Sequence, residues 1–157
     1  CATFDKVSLI DVVHPKSIQQ LLRGFPRVNL LELNLLHERP SEKFDFVISA
    51  NLLSQLPLGQ TGKLKKIGYS HELIQQTVNE IQLEHLQLLQ DCAPSGLLFS
   101  DYLIEIIDAK ENLVEQEESV SIQLDISWQK NWTWNIAPIP EYTKNLAMRL
   151  KMGALVY

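Results

Sequence analysis

Short apolar segments alternate with polar turns along the first half of the chain. Residues 7–13, 28–33 and 44–50 are apolar, partly β-branched and short, which is typical of buried strands. Between the first two segments, residues 16–23 carry apolar side chains at helical spacing and end at a glycine. Strands joined by connections of this length predict a parallel sheet with crossovers.

A longer helix is predicted over residues 71–92, with Ser70 placed to accept amide hydrogen bonds at its start. Its apolar positions form one stripe, so one face is expected to pack on the sheet. The stripe consists of Ile74, Val78, Ile81, His85, Leu88, Leu89 and Cys92. Pro94 to Gly96 ends the helix.

The last third of the chain has a different pattern. Residues 97–102 predict another strand, which the alternating residues up to 107 can extend, and 148–156 predict a last strand weakened at Gly153. Residues 120–126 alternate apolar and polar side chains, as strands with one wetter face do. The acidic residues before them are expected to form a solvated turn; they are Glu115, Glu117 and Glu118. The whole pattern predicts an α/β fold: a mostly parallel sheet with flanking helices and antiparallel carboxyl-terminal strands, in one domain over residues 1–157.

Composition narrows the class of protein. A chain of 157 residues with 45% hydrophobic residues can bury one sizeable core. The net charge of -5 argues against nucleic-acid binding through phosphates, and residues 63–66 form the only basic cluster. No apolar run is long enough to span a bilayer, so no membrane partner is expected. Cys1 and Cys92 show no paired spacing, which favours a reducing, cytoplasmic location, and a first residue other than Met indicates a processed or partial chain.

The exit of the third predicted strand is the first candidate site. An apolar strand runs there into the small, polar residues Ser49, Ala50 and Asn51. Residues just past the carboxyl ends of parallel strands are the ones that reach ligands in such sheets. The alternative is a buried strand whose small residues only permit a tight turn.

The order of these segments resembles class I S-adenosylmethionine-dependent methyltransferases, over about the first two thirds of the chain on the basis of individually weak motifs. The resemblance rests on four segments in order: Leu9-Ile10-Asp11, Leu31-Glu32-Leu33-Asn34-Leu35, Phe44 to Leu53, and the helix, turn and strand from Leu86 to Phe99. It implies a Rossmann-like fold and S-adenosylmethionine as the cofactor.

The resemblance implies roles for several residues. Asp11, with Val12 beside it, matches the acidic strand end that holds the cofactor's ribose hydroxyls, a role that suits a carboxylate because it accepts two hydrogen bonds. Asn34 and Leu35 match the adenine-contacting pair, although the family usually has Asp at the first position; Asn34 is alternatively a turn residue. The segment from Ser49 through Ala50 and Asn51 to Leu52 matches the methionine side of the cofactor. An exposed strand-end carboxylate or a helix cap is the alternative for Asp11.

One family feature has no counterpart in the sequence. The family begins with a strand and a glycine-rich loop, yet no G-x-G occurs in the 157 residues. That strand lies between those matched by Leu9 and Val47, and its loss leaves backbone groups unpaired. An upstream segment, a second chain or direct closure of the sheet would fill this gap, and an upstream segment is favoured because the chain begins at Cys1.

The aromatic segment near the carboxyl end supplies candidate substrate-binding residues, Trp132, Trp134 and Glu141, as a pocket lid or partner surface, with an ordinary aromatic core as the alternative. His14 and His37 lack the companions of a metal site, so no metal is expected. The predicted function is methyl transfer to an unidentified acceptor, a small molecule because of the acidic charge. The alternative is a non-catalytic, methyltransferase-like binding or assembly module.

Overall fold

The computed structural model describes residues 5–11 and 15–157. The chain divides into two compact units, an amino-terminal unit (Cys1–Glu42) and a carboxyl-terminal unit (Lys43–Tyr157). The elements are β1 (Val7–Asp11), α1 (Lys16–Leu22), β2 (Val28–Glu32), β3 (Val47–Ala50), α2 (Leu52–Gln55), α3 (Leu58–Ile67), α4 (His71–Cys92), β4 (Gly96–Asp108), β5 (Leu113–Glu118), β6 (Lys130–Ala137) and β7 (Leu146–Val156). That residues 1–157 form one domain stays a prediction.

The amino-terminal unit is a strand-helix-strand motif, as its pattern predicts. β1 and β2 pair in parallel, from Val7 opposite Val28 to Asp11 opposite Glu32. The helix α1 connects them because parallel neighbours need a crossover. β1 is described only to Asp11, so Val12 and Val13 of the predicted strand lie outside the described residues.

The carboxyl-terminal unit contains a mixed sheet of five strands in the order β3-β4-β7-β6, with β5 also paired to β4. Only β3 and β4 are parallel in this sheet; β5, β6 and β7 are in antiparallel pairs. The expected antiparallel carboxyl-terminal strands are therefore confirmed, whereas a mostly parallel arrangement is not shown for this sheet. Four residues join β4 to β5 and eight join β6 to β7, and both connections are shorter than the roughly twelve residues that a parallel crossover needs.

β1 and β3 were expected in one sheet, and this prediction is wrong. β1 pairs with β2 in a two-stranded sheet, whereas β3 pairs with β4. The resemblance places a further strand between β1 and β3, and no segment of this sequence matches it. Among the described residues, no strand pairs with both β1 and β3.

The helix α4 and the core confirm the sequence pattern. α4 spans the predicted residues, and the Ser70 hydroxyl accepts a hydrogen bond from the Leu73 amide at 3.3 Å. The core has a buried centre made of Leu53, Leu89, Leu98 and Val120. Gln82 lies outside the predicted apolar stripe but is fully buried.

Two late segments exchange the expected structures. The acidic residues 115–118 belong to the strand β5 and not to a turn, while residues 120–126 form a loop with one 3-10 turn (Ile122–Leu124) and not a strand. The Asp108 carboxylate organises the turn before β5 by accepting hydrogen bonds from the Lys110 and Asn112 amides. The Asn112 side-chain amide donates a further hydrogen bond to the same carboxylate. This side-chain bond, followed by the backbone bonds, holds the pKa of Asp108 below its usual value. Since every β5 side chain is exposed, its glutamates stay hydrated in a strand.

The strand β7 requires a glycine where the sequence suggests a weak point. A Cβ atom at Gly153 would lie 2.2 Å from Cδ2 of Trp128, so Trp128 occupies the space that any other side chain would need. The Trp128 ring also stacks on Tyr102, with 5.9 Å between ring centroids. Gly153 thus permits close packing of an aromatic ring on the sheet.

Candidate functional site

The carboxyl end of β3 lies beside the first part of β4 in the carboxyl-terminal unit. Ala50 lies opposite Phe99, and the Asn51 amide donates a hydrogen bond to the Phe99 carbonyl at 2.9 Å. The chain then turns from β3 directly into α2, while β4 continues through Ser100 and Asp101. The predicted turn therefore has β4 beside it, which continues past the end of β3.

Asn51 stands at the centre of this turn. Its backbone is left-handed, with φ 57° and ψ 5°, a conformation that asparagine tolerates better than most residues. The side-chain oxygen Oδ1 is buried and has no hydrogen-bond partner among the described residues. A buried acceptor without a partner costs about 1–3 kcal/mol. Such an atom marks a place where a ligand donor would be accommodated.

Ser54 and Asp101 adjoin Asn51. The Ser54 hydroxyl lies 3.2 Å from the Asn51 carbonyl oxygen and within a short hydrogen bond of the Asp101 carboxylate. Both side chains are buried. Ser54 comes from α2, and Asp101 lies where the pairing of β4 with β7 shifts register. Sequence reasoning missed both residues, because a β-bulge and a contact between residues 47 positions apart leave no local signal.

Together these groups form what we call the Asn51 cluster: Asn51, Ser54 and Asp101. It contains two hydrogen-bond acceptors, the buried amide oxygen of Asn51 after β3 and the carboxylate of Asp101 within β4. Acceptors of this kind bind the N–H or O–H groups of a ligand. The cluster can therefore orient an amine, an ammonium group or a hydroxyl.

Ser49, the first residue of the predicted site turn, points into the core. Its hydroxyl lies 2.8 Å from Nε2 of His85 on α4, and both side chains are buried. This bond ties β3 to α4, so His85 is a packed helix residue, as its place in the apolar stripe indicates. A role for Ser49 in cofactor binding stays a prediction. Because the hydroxyl is bonded to His85, the backbone of Ser49 would have to make the contact.

Gln82 holds α2 in position behind the turn. Its side-chain amide donates to the carbonyl oxygens of Leu53 and Ser119, each at 2.9 Å, and its Oε1 accepts from the Ser121 amide at 2.8 Å. One bond joins α2 to α4, and the other two join the loop after β5 to α4. A fully satisfied buried network of this kind fixes one arrangement of its neighbours, so Gln82 positions the helix that carries Ser54.

In the amino-terminal unit, Asp11 lies at the carboxyl end of β1, opposite Glu32, and is exposed. Asn34 forms a turn: its Oδ1 accepts from the Leu36 amide at 3.2 Å, and its own amide donates to the Glu38 carboxylate at 2.7 Å. The turn interpretation of Asn34 is thus confirmed, and its cofactor role stays a prediction. Leu35 follows in the same turn, and Val12 lies outside the described residues.

The candidate substrate-binding residues lie on and after β6. Trp132 and Trp134 are exposed, and Glu141 is exposed in the turn that follows. Trp132 and Asp101 both pair with Met152 of β7. The two residues are therefore at the same level of the sheet and about 10 Å apart, since neighbouring strands lie roughly 4.8 Å apart. Trp134 and Glu141 lie farther along the chain from this level, and their substrate role stays a prediction.

Neither a metal site nor a membrane-spanning helix occurs in the described part of the chain. Among residues 5–11 and 15–157, no group of three His, Cys, Asp or Glu side chains is arranged to hold a metal ion. Within the same ranges, no helix combines the length and the apolar character needed to cross a membrane.

Comparisons with known proteins give one structural similarity. No protein-family model matches the chain, and no curated protein sequence is significantly similar to it. The solved structure of N-methyltransferase NodS from Bradyrhizobium japonicum WM9, in complex with S-adenosyl-L-homocysteine, is similar with 16% sequence identity and a TM-score of 0.42. The match covers 94% of this chain and 66% of that one. At this distance, no residue role can be transferred from one chain to the other.

Proposed function

We propose that this chain carries out part of an S-adenosylmethionine-dependent methyl transfer to a small-molecule acceptor. The observation that carries the proposal is the Asn51 cluster, which places a buried acceptor without a partner at the carboxyl end of β3, beside the parallel strand β4. This is the position at which the resemblance in sequence order puts the reacting end of the cofactor. The acidic net charge of -5 supports a small acceptor over a nucleic acid.

The residues of the chain suit the groups that the cofactor would present. For the amino-terminal unit by itself, the resemblance implies Asp11 as the acceptor for the ribose hydroxyls and Asn34 with Leu35 as the adenine contacts. The turn from Ala50 through Asn51 to Leu52 would adjoin the methionine part, where the buried Oδ1 of Asn51 fits an ammonium donor. The cofactor supplies a methyl group on a positively charged sulfur.

Asp101 and Ser54 would hold the methyl acceptor. A carboxylate that already receives the Ser54 hydroxyl keeps a fixed orientation, so its remaining acceptor capacity points in one direction. An N–H or O–H group of the acceptor bound there would be oriented with its lone pair toward the methyl group. Orientation of this kind provides much of the rate enhancement in a displacement reaction, and no nucleophilic side chain is needed.

The test uses the protein as its gene encodes it, including any sequence before Cys1. Isotope-labelled S-adenosylmethionine is incubated with fractionated small molecules, and label transfer is measured. We expect Asp101→Asn to lower transfer by about 10²-fold while leaving cofactor affinity unchanged, because the acceptor loses its charged partner. The matched control is Asp45→Asn, an exposed aspartate before β3. If the Asp101→Asn variant and the wild-type protein transferred the label equally fast, the proposed role of Asp101 would be contradicted.

For the 157-residue chain by itself, we expect weak or no binding of S-adenosylmethionine or S-adenosylhomocysteine. The sequence contains no G-x-G through which a backbone could approach the cofactor closely. Titration calorimetry should detect no micromolar site. Tight binding would mean that another element takes over the function of the glycine-rich loop.

The same missing motif favours a second candidate, a non-catalytic module with a methyltransferase-like architecture that binds a ligand or a partner protein. The two candidates differ in the encoded protein. A strand and a glycine-rich loop before Cys1, together with measurable cofactor binding, favour the enzyme. Absence of both in the complete gene product favours the module.

A further inference from the structure

The outer edge of β6 carries a stripe of aromatic side chains. Trp132 lies opposite Met152 and Trp134 opposite Leu150, so the two tryptophan side chains share one face of the sheet. They are 44% and 47% exposed, and Ile136 follows at 42%. Exposed apolar side chains that share one face of an edge strand are candidates for an interaction surface. Tryptophan is the residue type most enriched at the centres of such surfaces.

The backbone of β6 is available for pairing as well. Among the described residues, β6 pairs with β7 and with no other strand. Such an edge presents unpaired N–H and C=O groups to any extended segment. The regular part of the strand runs from Lys130 to Asn135, before the register shifts at Ala137. A partner strand would therefore find five or six residues in regular geometry.

The strands β5 and β6 differ in how many charged side chains they carry, and charge affects whether a further strand can pair with them. β5 carries three glutamates among six residues, all exposed, so a second β5 would bring carboxylates opposite carboxylates. β6 carries one charged residue, Lys130, in eight. Charge placed on an edge is a common protection against pairing. β5 has this protection, and β6 lacks it.

We propose that β6 pairs with β6 of a second copy of this chain. In an antiparallel pair with Thr133 on the two-fold axis, Trp132 of one copy lies opposite Trp134 of the other, and the reverse contact follows by symmetry. Asn131 then lies opposite Asn135. Directly opposed residues of an antiparallel pair share a face, so the four indole rings form one cluster on one side of the extended sheet.

The charge distribution of β6 favours a second copy over a charged partner. The two Lys130 side chains lie at opposite ends of the pair, about 20 Å apart, and no other charge lies within the strand. An acidic or basic peptide would meet no complementary row of charges on β6. Self-pairing instead matches indole with indole, and aromatic cross-strand pairs are stabilising.

The size of the surface sets the strength of the association. Each tryptophan leaves on the order of 100 Å² uncovered. Two tryptophans, one isoleucine and a strand edge per copy bury less than the roughly 800 Å² per partner of a stable interface. The dimer is therefore concentration-dependent, and it does not depend on any catalytic role of the chain.

Sedimentation velocity of the 157-residue chain, from micromolar to millimolar concentration, tests the association. We expect a shift from monomer to dimer, and Trp134→Lys should raise the dissociation constant by about tenfold or more. The matched control is Val114→Lys on β5, which places the same charge on the other exposed edge strand and should leave the dimer intact. Thermal unfolding by circular dichroism checks that both variants fold.

A cysteine at the proposed two-fold axis tests the geometry. Thr133→Cys brings two thiols together across the pair and should give a disulfide-linked dimer on mild oxidation, while Gln116→Cys on β5 should not. A monomer at every concentration would overturn the proposal. So would a dimer that persists unchanged in Trp134→Lys, or one in which the Thr133→Cys copies do not cross-link.

Discussion

The two units of the chain differ in where their side chains lie. In the amino-terminal unit no described residue is buried, although β1, α1 and β2 form as their pattern predicts. In the carboxyl-terminal unit a buried apolar centre is combined with buried polar side chains, among them Gln82, His85 and Asp101. In the amino-terminal unit, local patterns are thus sufficient to specify the strands and the helix, but stability depends on burial. Substitutions should have large effects on stability in the carboxyl-terminal unit and small ones in the amino-terminal unit.

The largest difference is expected for leucine. Leu53 is fully buried on α2, whereas Leu21 on α1 is 66% exposed. Leu53→Ala should lower the free energy of unfolding by about 2–5 kcal/mol, because it leaves a cavity. Leu21→Ala should change it by less than about 0.5 kcal/mol. Urea unfolding followed by circular dichroism measures both, and equal losses would contradict the contrast between the units.

The next effect concerns a buried amide. Gln82→Met keeps the approximate shape of the side chain but leaves the carbonyl groups of Leu53 and Ser119 without their donor. We expect a loss of about 1–3 kcal/mol in the same unfolding experiment. Gln20→Met, on the exposed surface of α1, is the control and should be close to neutral. If Gln82→Met were neutral too, solvent would have to reach these carbonyl groups.

Glycine substitutions compare the available space in the two units. Gly153→Ala should destabilise by about 1–3 kcal/mol, because the new Cβ would overlap the Trp128 ring. Gly24→Ala, after α1, has no atom within 4 Å of the new Cβ and should be neutral or stabilising by up to about 1 kcal/mol. Differential scanning calorimetry of the two variants gives the comparison. A stabilised Gly153→Ala would show that Trp128 can move aside.

The smallest effect on stability is expected at Asp11. The Asp11 carboxylate is exposed at the end of β1. Its removal in Asp11→Ala should therefore change the free energy of unfolding by less than about 0.5 kcal/mol. If the proposed function is correct, the same variant of the complete protein should lose about 1–3 kcal/mol of cofactor affinity, because the ribose hydroxyls lose their acceptor. Calorimetric titration with S-adenosylhomocysteine measures this loss. Unchanged affinity at unchanged stability would remove Asp11 from the site.

The candidate site was predictable in one part and not in another. The turn from Ser49 to Asn51 follows from a local signal, an apolar run that ends in small polar residues. Asp101 gave no such signal, because it sits inside a long strand and meets Ser54 through a bulge. Ser49 shows the limit of the local signal, since its position at the turn is correct while its hydroxyl bonds to His85 in the core.

The sequence by itself determined α4, its Ser70 cap and the strand-helix-strand motif of the amino-terminal unit. These features depend on residues within a few positions of one another, through helical or strand periodicity and capping. Only the tertiary structure decided that residues 113–118 form a strand while 120–126 do not. It also decided that Gln82 and Asp101 are buried. Gln82 and Asp101 are bonded to partners 37 and 47 positions away in the chain, Ser119 and Ser54, and periodicity carries no information about such partners. The strand β5 forms by hairpin pairing with β4, a context that its own sequence of mostly acidic residues does not indicate.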